Sequence, residues 1–109
     1  MMSDPAILDR VFQVILSRKG ADTANSHVAR LFAKGRAKIA QKVGEEGVEA
    51  ALAGLAGSET ELVGEAADLI FHLFILLAER GLTPADVWAE LEAREGLSGV
   101  AEKASRPKG

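Results

Sequence analysis

The chain has 109 residues, of which 48% are hydrophobic and 27% charged, with a formal net charge of −3 and no cysteine. This length fits one domain, and the composition is that of a folded globular protein, so wholesale disorder is excluded. The absence of cysteine excludes disulfides and thiolate metal sites, and the acidic balance gives no basic footprint for a nucleic-acid polymer.

The first two predicted helices lie in the N-terminal third of the chain. Asp4 followed by Pro5 is a capping residue with proline at the first helical position, which predicts a helix over about residues 5–18. Ser26 can cap a short second helix that ends near Gly35. The N-terminus carries neither a basic segment nor an apolar stretch long enough for export, so we expect a cytoplasmic protein.

A third helix is predicted over about residues 36–56. Its interior glycines, Gly44, Gly47 and Gly54, each cost up to about 1 kcal/mol relative to alanine in a helix. This cost predicts a close approach of another backbone or of a ligand at these positions, and a simple kink is the alternative.

A capping-box sequence over residues 58–61 starts a fourth helix that continues to Arg80 and ends at Gly81. Its apolar run over residues 69–78 is interrupted only by His72, and it has about half of the ~20 residues that span a bilayer. The run therefore predicts a buried core helix and no membrane segment. Because it is apolar on all sides, it needs more neighbours than a chain of this length supplies, and we predict a homodimer.

Thr83 and Pro84 open a fifth helix. Its buried stripe is predicted to contain Val87, Trp88 and Leu91.

The fold is predicted to be all-α, because no segment alternates between apolar and polar residues with the period of a strand. We expect about five helices in a bundle that is completed by homodimerisation. The prediction divides the chain into one all-α domain over residues 1–97 and a flexible tail over residues 98–109, where apolar content is low.

Two pairs of carboxylates are the candidate functional residues of the sequence. They are Glu46 with Glu49 and Glu65 with Asp68, and Glu45 lies beside the first pair. Residues three apart share a helix face, so two antiparallel helices can aim four oxygen ligands at one point. Such ligands suit Mg²⁺, but a solvated acidic face has the same spacing, so the spacing leaves both interpretations open.

His72 lies on the same helix face as the second pair. A ferritin-like di-iron centre requires histidine three residues after glutamate, whereas His72 follows Asp68 by four residues and Glu65 by seven. Magnesium prefers oxygen ligands, so His72 is predicted to be a core or interface residue.

Basic residues precede the first carboxylate pair along the chain. Lys42 and Glu46 form a favourable i, i+4 pair on a helix. The basic residues are either functional or a solvated patch, and the sequence leaves this choice open. They are Lys34, Arg36, Lys38 and Lys42.

Several segments together resemble the phosphoribosyl-ATP pyrophosphohydrolases of histidine biosynthesis over about residues 5–95. The two carboxylate motifs mark the wider all-α NTP pyrophosphohydrolase superfamily, which includes MazG-type and dimeric dUTPase-like enzymes. The segments 32–35 and 42–46 point to the histidine-pathway family. The departures are small: His27 and Val28 stand where the family often has tyrosine and threonine, and Gly47 stands where alanine is usual.

The resemblance implies a magnesium-dependent hydrolysis of the α–β phosphoanhydride of phosphoribosyl-ATP to phosphoribosyl-AMP and pyrophosphate, the second step of histidine biosynthesis. It implies a cytoplasmic, dimeric, nucleotide-binding hydrolase in which Mn²⁺ can substitute for Mg²⁺. The metal ligands would be Glu46, Glu49, Glu65 and Asp68, and Glu45 or one of the ligands would take the proton from the attacking water. The implied substrate-binding residues, which would neutralise the polyphosphate, are Lys34, Arg36, Lys38 and Lys42.

Two other functions stay open. One is a (d)NTP pyrophosphohydrolase of the MazG or dUTPase-like type, which would use the same carboxylates. The other is a non-enzymatic helical dimerisation module whose acidic face is only solvated.

Overall fold

A computed structural model of the chain describes residues 4–96, which form helices joined by short turns and contain no strand. The predicted all-α fold is confirmed, and so are the five helices. The flexible tail predicted over residues 98–109 lies outside the described residues. The helices are α1 (Ala6–Arg18), α2 (His27–Lys34), α3 (Arg36–Ala56), α4 (Glu59–Glu79) and α5 (Pro84–Arg94).

The helices begin where the sequence provides side-chain caps. The Asp4 carboxylate accepts a hydrogen bond from the Ala6 amide at 2.6 Å, and the Ser26 hydroxyl accepts one from the Ala29 amide at 3.1 Å. Residues 58–61 form the predicted capping box at the start of α4. Each cap satisfies amide groups that the first helical turn leaves without partners, which fixes the starting point of the helix.

Gly35 separates α2 from α3 with a φ of 98°, in a region that side chains rarely adopt. This sharp turn lets α2 fold back against α3, and the ring of His27, the first residue of α2, packs on the ring of His72 in α4.

The core lies between α1, α2, the N-terminal part of α3 and the C-terminal half of α4. The rings of Phe12 and Phe74 pack edge to face at 5.9 Å, and Trp88 of α5 covers the cluster from one side. The predicted buried stripe of α5 is wrong at Leu91, which is 55% exposed because α5 covers only one end of the core. The buried apolar side chains are Phe12, Ile15, Val28, Ala29, Leu31, Ile39, Phe74, Ile75 and Ala78.

The longest helices, α3 and α4, form an antiparallel hairpin. The Leu69 side chain lies beside Gly47, and the Leu62 side chain lies beside Gly54. Both contacts fit the same alignment of α3 against α4. The predicted close approach of another backbone is therefore wrong at these two glycines, because side chains of α4 fill the space. Gly44 faces open space.

The closed end of the hairpin, where α3 turns into α4, is not covered by the other described helices. Residues 47–64 include no buried residue, although several of them are large and apolar. Leu55 is the extreme case, with 84% of its surface exposed. The apolar side chains exposed at this end are Val48, Leu52, Leu55, Leu62 and Val63. None of the five described helices is both long enough and apolar enough to cross a bilayer.

Candidate metal centre

Three carboxylates meet where the two long helices face one another. Glu46 and Glu49 project from α3 and Glu65 projects from α4, and one carboxylate oxygen of each lies within 4.8 Å of the other two. Glu46 is only 7% exposed, and Glu65 is half-buried. The spacing of three residues on α3 and the hairpin register together produce this convergence.

Two oxygens of the group are buried without a hydrogen-bond partner among the described residues. They are Oε2 of Glu46 and Oε2 of Glu65. A buried acceptor without a partner costs about 1–3 kcal/mol, and a buried charge costs more. A divalent cation at the meeting point would give both oxygens a partner and offset the mutual repulsion of the carboxylates, so the residues present fit such an ion.

Asp68 is not part of this group. Its side chain is exposed, and its backbone carbonyl lies 2.8 Å from Nδ1 of His72. Asp68 lies one turn after Glu65, so its carboxylate remains on the same face of α4.

Lys42 links the carboxylates of α3 to the basic residues. Its Nζ lies 3.6 Å from Oε1 of Glu46 and 3.6 Å from Oε1 of Glu45. Both contacts are ion pairs, longer than a good hydrogen bond.

Glu45 stands apart from the three-carboxylate group and is exposed. The side-chain amide of Gln41 donates a hydrogen bond of 3.0 Å to its Oε2. This hydrogen bond lowers the pKa of Glu45, and the nearby charges of Lys42 and Lys38 lower the pKa further. A carboxylate with a lowered pKa is a weaker proton acceptor.

The other basic residues lie at different distances from the carboxylates. Arg36 lies ten residues before Glu46, which is about 15 Å along a helix, and its Nε donates to Oε2 of Glu79 at 2.6 Å. Lys38 lies between Arg36 and Lys42 on α3 and is partly buried. The structure therefore brings Lys42 next to the centre and leaves Arg36 in an ion pair at the far end of the hairpin.

His27 lies against His72 and was not predicted to be functional from the sequence. Its ring lies 5.9 Å from the ring of His72, centroid to centroid, in an edge-to-face arrangement. Burial lowers the pKa of His27, and the charges of His72, Arg30, Lys42 and Lys34 lower it further. Two sequence signals could have drawn attention to it: its place directly after the capping Ser26, and its departure from the tyrosine that the resembled family often has at this position.

A cleft of about 350 Å³ opens beside the carboxylates, towards the closed end of the hairpin. Glu49 and Glu65 line it together with apolar residues such as Leu52 and Ala53. This volume lies at the lower end of the range for small-molecule sites. A second pocket of about 430 Å³ lies near Phe32 and Glu79, at the other end of the molecule.

Residues 8–95 match the family described as phosphoribosyl-ATP pyrophosphohydrolase. The chain belongs to this family. It is 59% identical over 102 residues to the phosphoribosyl-ATP pyrophosphatase of Rhizorhabdus wittichii, an alignment that covers 94% of this chain and 96% of that relative. The protein with the same name from Paramagnetospirillum magneticum is 54% identical over 108 residues, with 99% of both chains covered. That from Novosphingobium aromaticivorans is 58% identical over 105 residues, with 96% and 98% covered.

The resemblance inferred from the sequence is therefore confirmed for almost the whole described chain. The roles of individual side chains rest on the geometry around Glu46, Glu49 and Glu65.

Proposed function

We propose that the protein hydrolyses phosphoribosyl-ATP to phosphoribosyl-AMP and pyrophosphate with the help of Mg²⁺. Family membership supports the substrate and the reaction. The observation that carries the assignment of the site is the convergence of three carboxylates, two of which have a buried oxygen without a partner. A solvated acidic face would not bury these oxygens.

Glu46, Glu49 and Glu65 would hold the cation, and Asp68 would be a fourth ligand. An all-oxygen set suits hard cations such as Mg²⁺, for which Mn²⁺ is the usual substitute. Asp68 is exposed and shares the face of Glu65, so a rotation of its side chain can bring its carboxylate towards the other three without unpacking α4.

A bound cation supplies positive charge that offsets the charge of the phosphate oxygens. Lys42 adds positive charge at the edge of the centre, where it already contacts Glu46. Lys34 and Lys38 are proposed to extend this positive region along the polyphosphate. Arg36 is retained as a substrate-binding candidate, but its ion pair with Glu79 makes it the weakest of the basic residues.

Hydrolysis requires a group that takes a proton from the attacking water. Glu45 is a candidate, but its lowered pKa weakens it as an acceptor. One of the carboxylates that would hold the cation, Glu46, Glu49, Glu65 or Asp68, is the other candidate for the proton transfer.

The substrate assignment is tested by supplying the purified protein with phosphoribosyl-ATP and a panel of NTPs and dNTPs in Mg²⁺, with pyrophosphate release as the measurement. We expect the highest kcat/KM for phosphoribosyl-ATP. Hydrolysis of a dNTP with no hydrolysis of phosphoribosyl-ATP would identify a general (d)NTP pyrophosphohydrolase. No pyrophosphate from any nucleotide would favour the non-enzymatic module.

We also propose that the active form is a cytoplasmic homodimer. Support for the dimer comes from the exposed apolar residues at the closed end of the hairpin, which include Val48, Leu55 and Val63. A second copy of the chain is the occupant that would cover this surface, because an apolar surface of this extent is unusual on a monomer.

A further inference from the structure

The cleft beside the metal centre combines an apolar lining with negative charge. Its volume is about 350 Å³, and Glu49 and Glu65 of the three-carboxylate group line it. The only other charged residue of the described chain that lines it is Glu61. The cleft therefore suits a flat apolar group that carries positive charge. The remaining lining residues are Leu52, Ala53, Ala56 and Gly57.

The Glu61 carboxylate is held over the turn between α3 and α4. Its Oε1 accepts a hydrogen bond of 3.5 Å from the Ser58 amide, as part of the capping box. Its Oε2 lies 3.1 Å from the position that a β-carbon would take at Gly57. Among residues 4–96, Oε2 accepts no hydrogen bond, and Glu61 forms no ion pair. One carboxylate oxygen is thus positioned by the cap and available to a ligand.

A cation at the metal centre would leave the charge of Glu61 uncompensated. Glu61 is not part of the three-carboxylate group and lies one helical turn before Glu65, about 6 Å along the helix. In a nucleotide, one ribose separates the base from the α-phosphate, which is a similar length. A nucleotide whose phosphates lie at the metal centre can therefore place its base beside Glu61.

The cleft lies on a different side of the hairpin from the surface proposed for the dimer. Leu55 follows Ala53 by two residues, and Val63 follows Glu61 by two residues. Two residues correspond to about 200° around a helix, so Leu55 and Val63 face away from the cleft. A second copy of the chain bound over Leu55 and Val63 would leave the cleft open to a ligand.

Phosphoribosyl-ATP and ATP differ in the charge of their base. The phosphoribosyl group is attached to N1 of adenine, and this substitution makes the ring a protonated amidine at neutral pH. The positive charge is delocalised over the ring, and the exocyclic nitrogen carries hydrogens that can be donated to a carboxylate. The adenine of ATP is neutral at the same pH. A charge-assisted hydrogen bond is roughly twice as strong as a neutral one, so a carboxylate at the base favours phosphoribosyl-ATP.

We propose that Glu61 is a specificity-determining residue that binds the positively charged, N1-substituted adenine ring, which packs against Leu52 and Ala53. The inference rests on the proposed function and adds a way to recognise the base. The ribose and the triphosphate are common to phosphoribosyl-ATP and ATP, whereas the charge on the base separates the two.

The kinetic test compares the wild-type protein with Glu61→Gln. Glutamine can replace glutamate in a capping box, so this variant keeps the start of α4 and loses only the charge. We expect kcat/KM for phosphoribosyl-ATP to fall about tenfold, chiefly through KM. The control is Ser58→Ala, which removes the other side chain of the capping box, keeps the Glu61 carboxylate and should retain the wild-type kcat/KM. An unchanged kcat/KM in Glu61→Gln, or an equal loss in Ser58→Ala, would overturn the inference.

Direct binding tests the charge of the base by itself. Calorimetry in Mg²⁺ compares 1-methyladenosine 5′-monophosphate with AMP, which lacks the N1 methyl group and the positive charge. Neither compound contains a phosphoanhydride that could be hydrolysed. The wild-type protein should bind the methylated nucleotide about tenfold more tightly, and Glu61→Gln should bind both with similar affinity.

The binding result separates this inference from the proposed function. A preference for the methylated nucleotide that is lost in Glu61→Gln would support the inference even if phosphoribosyl-ATP were not hydrolysed. The absence of a preference in the wild-type protein, or the same preference in both proteins, would overturn the inference. Hydrolysis of phosphoribosyl-ATP by the wild-type protein would then leave the proposed function intact.

Discussion

Glu46 combines three properties that carboxylates in proteins rarely share. It is buried, its Oε1 lies 3.6 Å from the Lys42 ammonium, and its Oε2 has no partner in the described chain. Lys42 also pairs with Glu45, so its single charge is divided between two carboxylates. The remaining negative charge of Glu46, Glu49 and Glu65 would therefore be the driving force for binding the proposed cation.

Replacing Glu46 tests this view through protein stability. Mg²⁺ at a concentration a hundredfold above its Kd should stabilise the wild-type protein by about 2.7 kcal/mol. Glu46→Gln should lose most of this gain, because the amide oxygen carries no charge. Melting temperatures with and without Mg²⁺, at a fixed protein concentration, provide the measurement. The control is Glu90→Gln on α5, which lies outside the carboxylate group and should keep the wild-type response to Mg²⁺. A full Mg²⁺ response in Glu46→Gln would show that the ion binds elsewhere.

The helices illustrate how far local sequence determines structure. Capping residues and terminal glycines predicted all five helices to within a few residues, because these signals act within one turn. The buried stripe of α5 failed at Leu91, since burial depends on which helices are long enough to cover α5. The interior glycines of α3 likewise meet side chains of α4, a contact that the register of the hairpin sets.

The start of α4 depends on one capping side chain. The Ser58 hydroxyl accepts a hydrogen bond from the Glu61 amide at 3.1 Å. Ser58→Ala should lower the free energy of unfolding by about 1 kcal/mol, because the first turn then loses a partner for its amide. Chemical denaturation at constant protein concentration measures the change. The matched control is Ser17→Ala, which removes an exposed hydroxyl near the end of α1. Equal stability of Ser58→Ala and the wild-type protein would contradict the role of the cap.

At the scale of the whole molecule, the facing arrangement of the carboxylates could be predicted from the sequence, whereas the orientation of individual side chains could not. The sequence predicted the carboxylate pairs and their facing arrangement, because a spacing of three places residues on one helix face. It did not predict that Asp68 would lie outside the group of three, or that His27 would reach His72. Both depend on side-chain orientation and on the turn at Gly35, which brings α2 against the hairpin.

The uncovered end of the hairpin leads to a prediction about assembly. The wild-type protein should have twice the chain mass in solution, because Leu55 and Val63 would be buried between two copies. Leu55→Asp and Val63→Asp should shift the protein towards monomer, since a buried charge at an apolar interface is costly. Light scattering after size-exclusion chromatography measures the mass. Leu91→Asp introduces the same charge on exposed α5 and should remain dimeric, and a monomeric wild-type protein would contradict the proposed assembly.

The most direct test of the account is the release of pyrophosphate from phosphoribosyl-ATP by the wild-type protein and by Glu46→Gln in the same Mg²⁺ buffer. Even residues that only orient metal ligands are typically worth 10–100-fold in activity, so the loss of a ligand should cost on the order of 100-fold or more in kcat/KM. We expect rapid hydrolysis by the wild-type protein, loss of activity on chelation of the metal, and this decrease in the variant. Equal hydrolysis by both proteins, or activity that survives chelation, would contradict a metal centre formed by Glu46, Glu49 and Glu65.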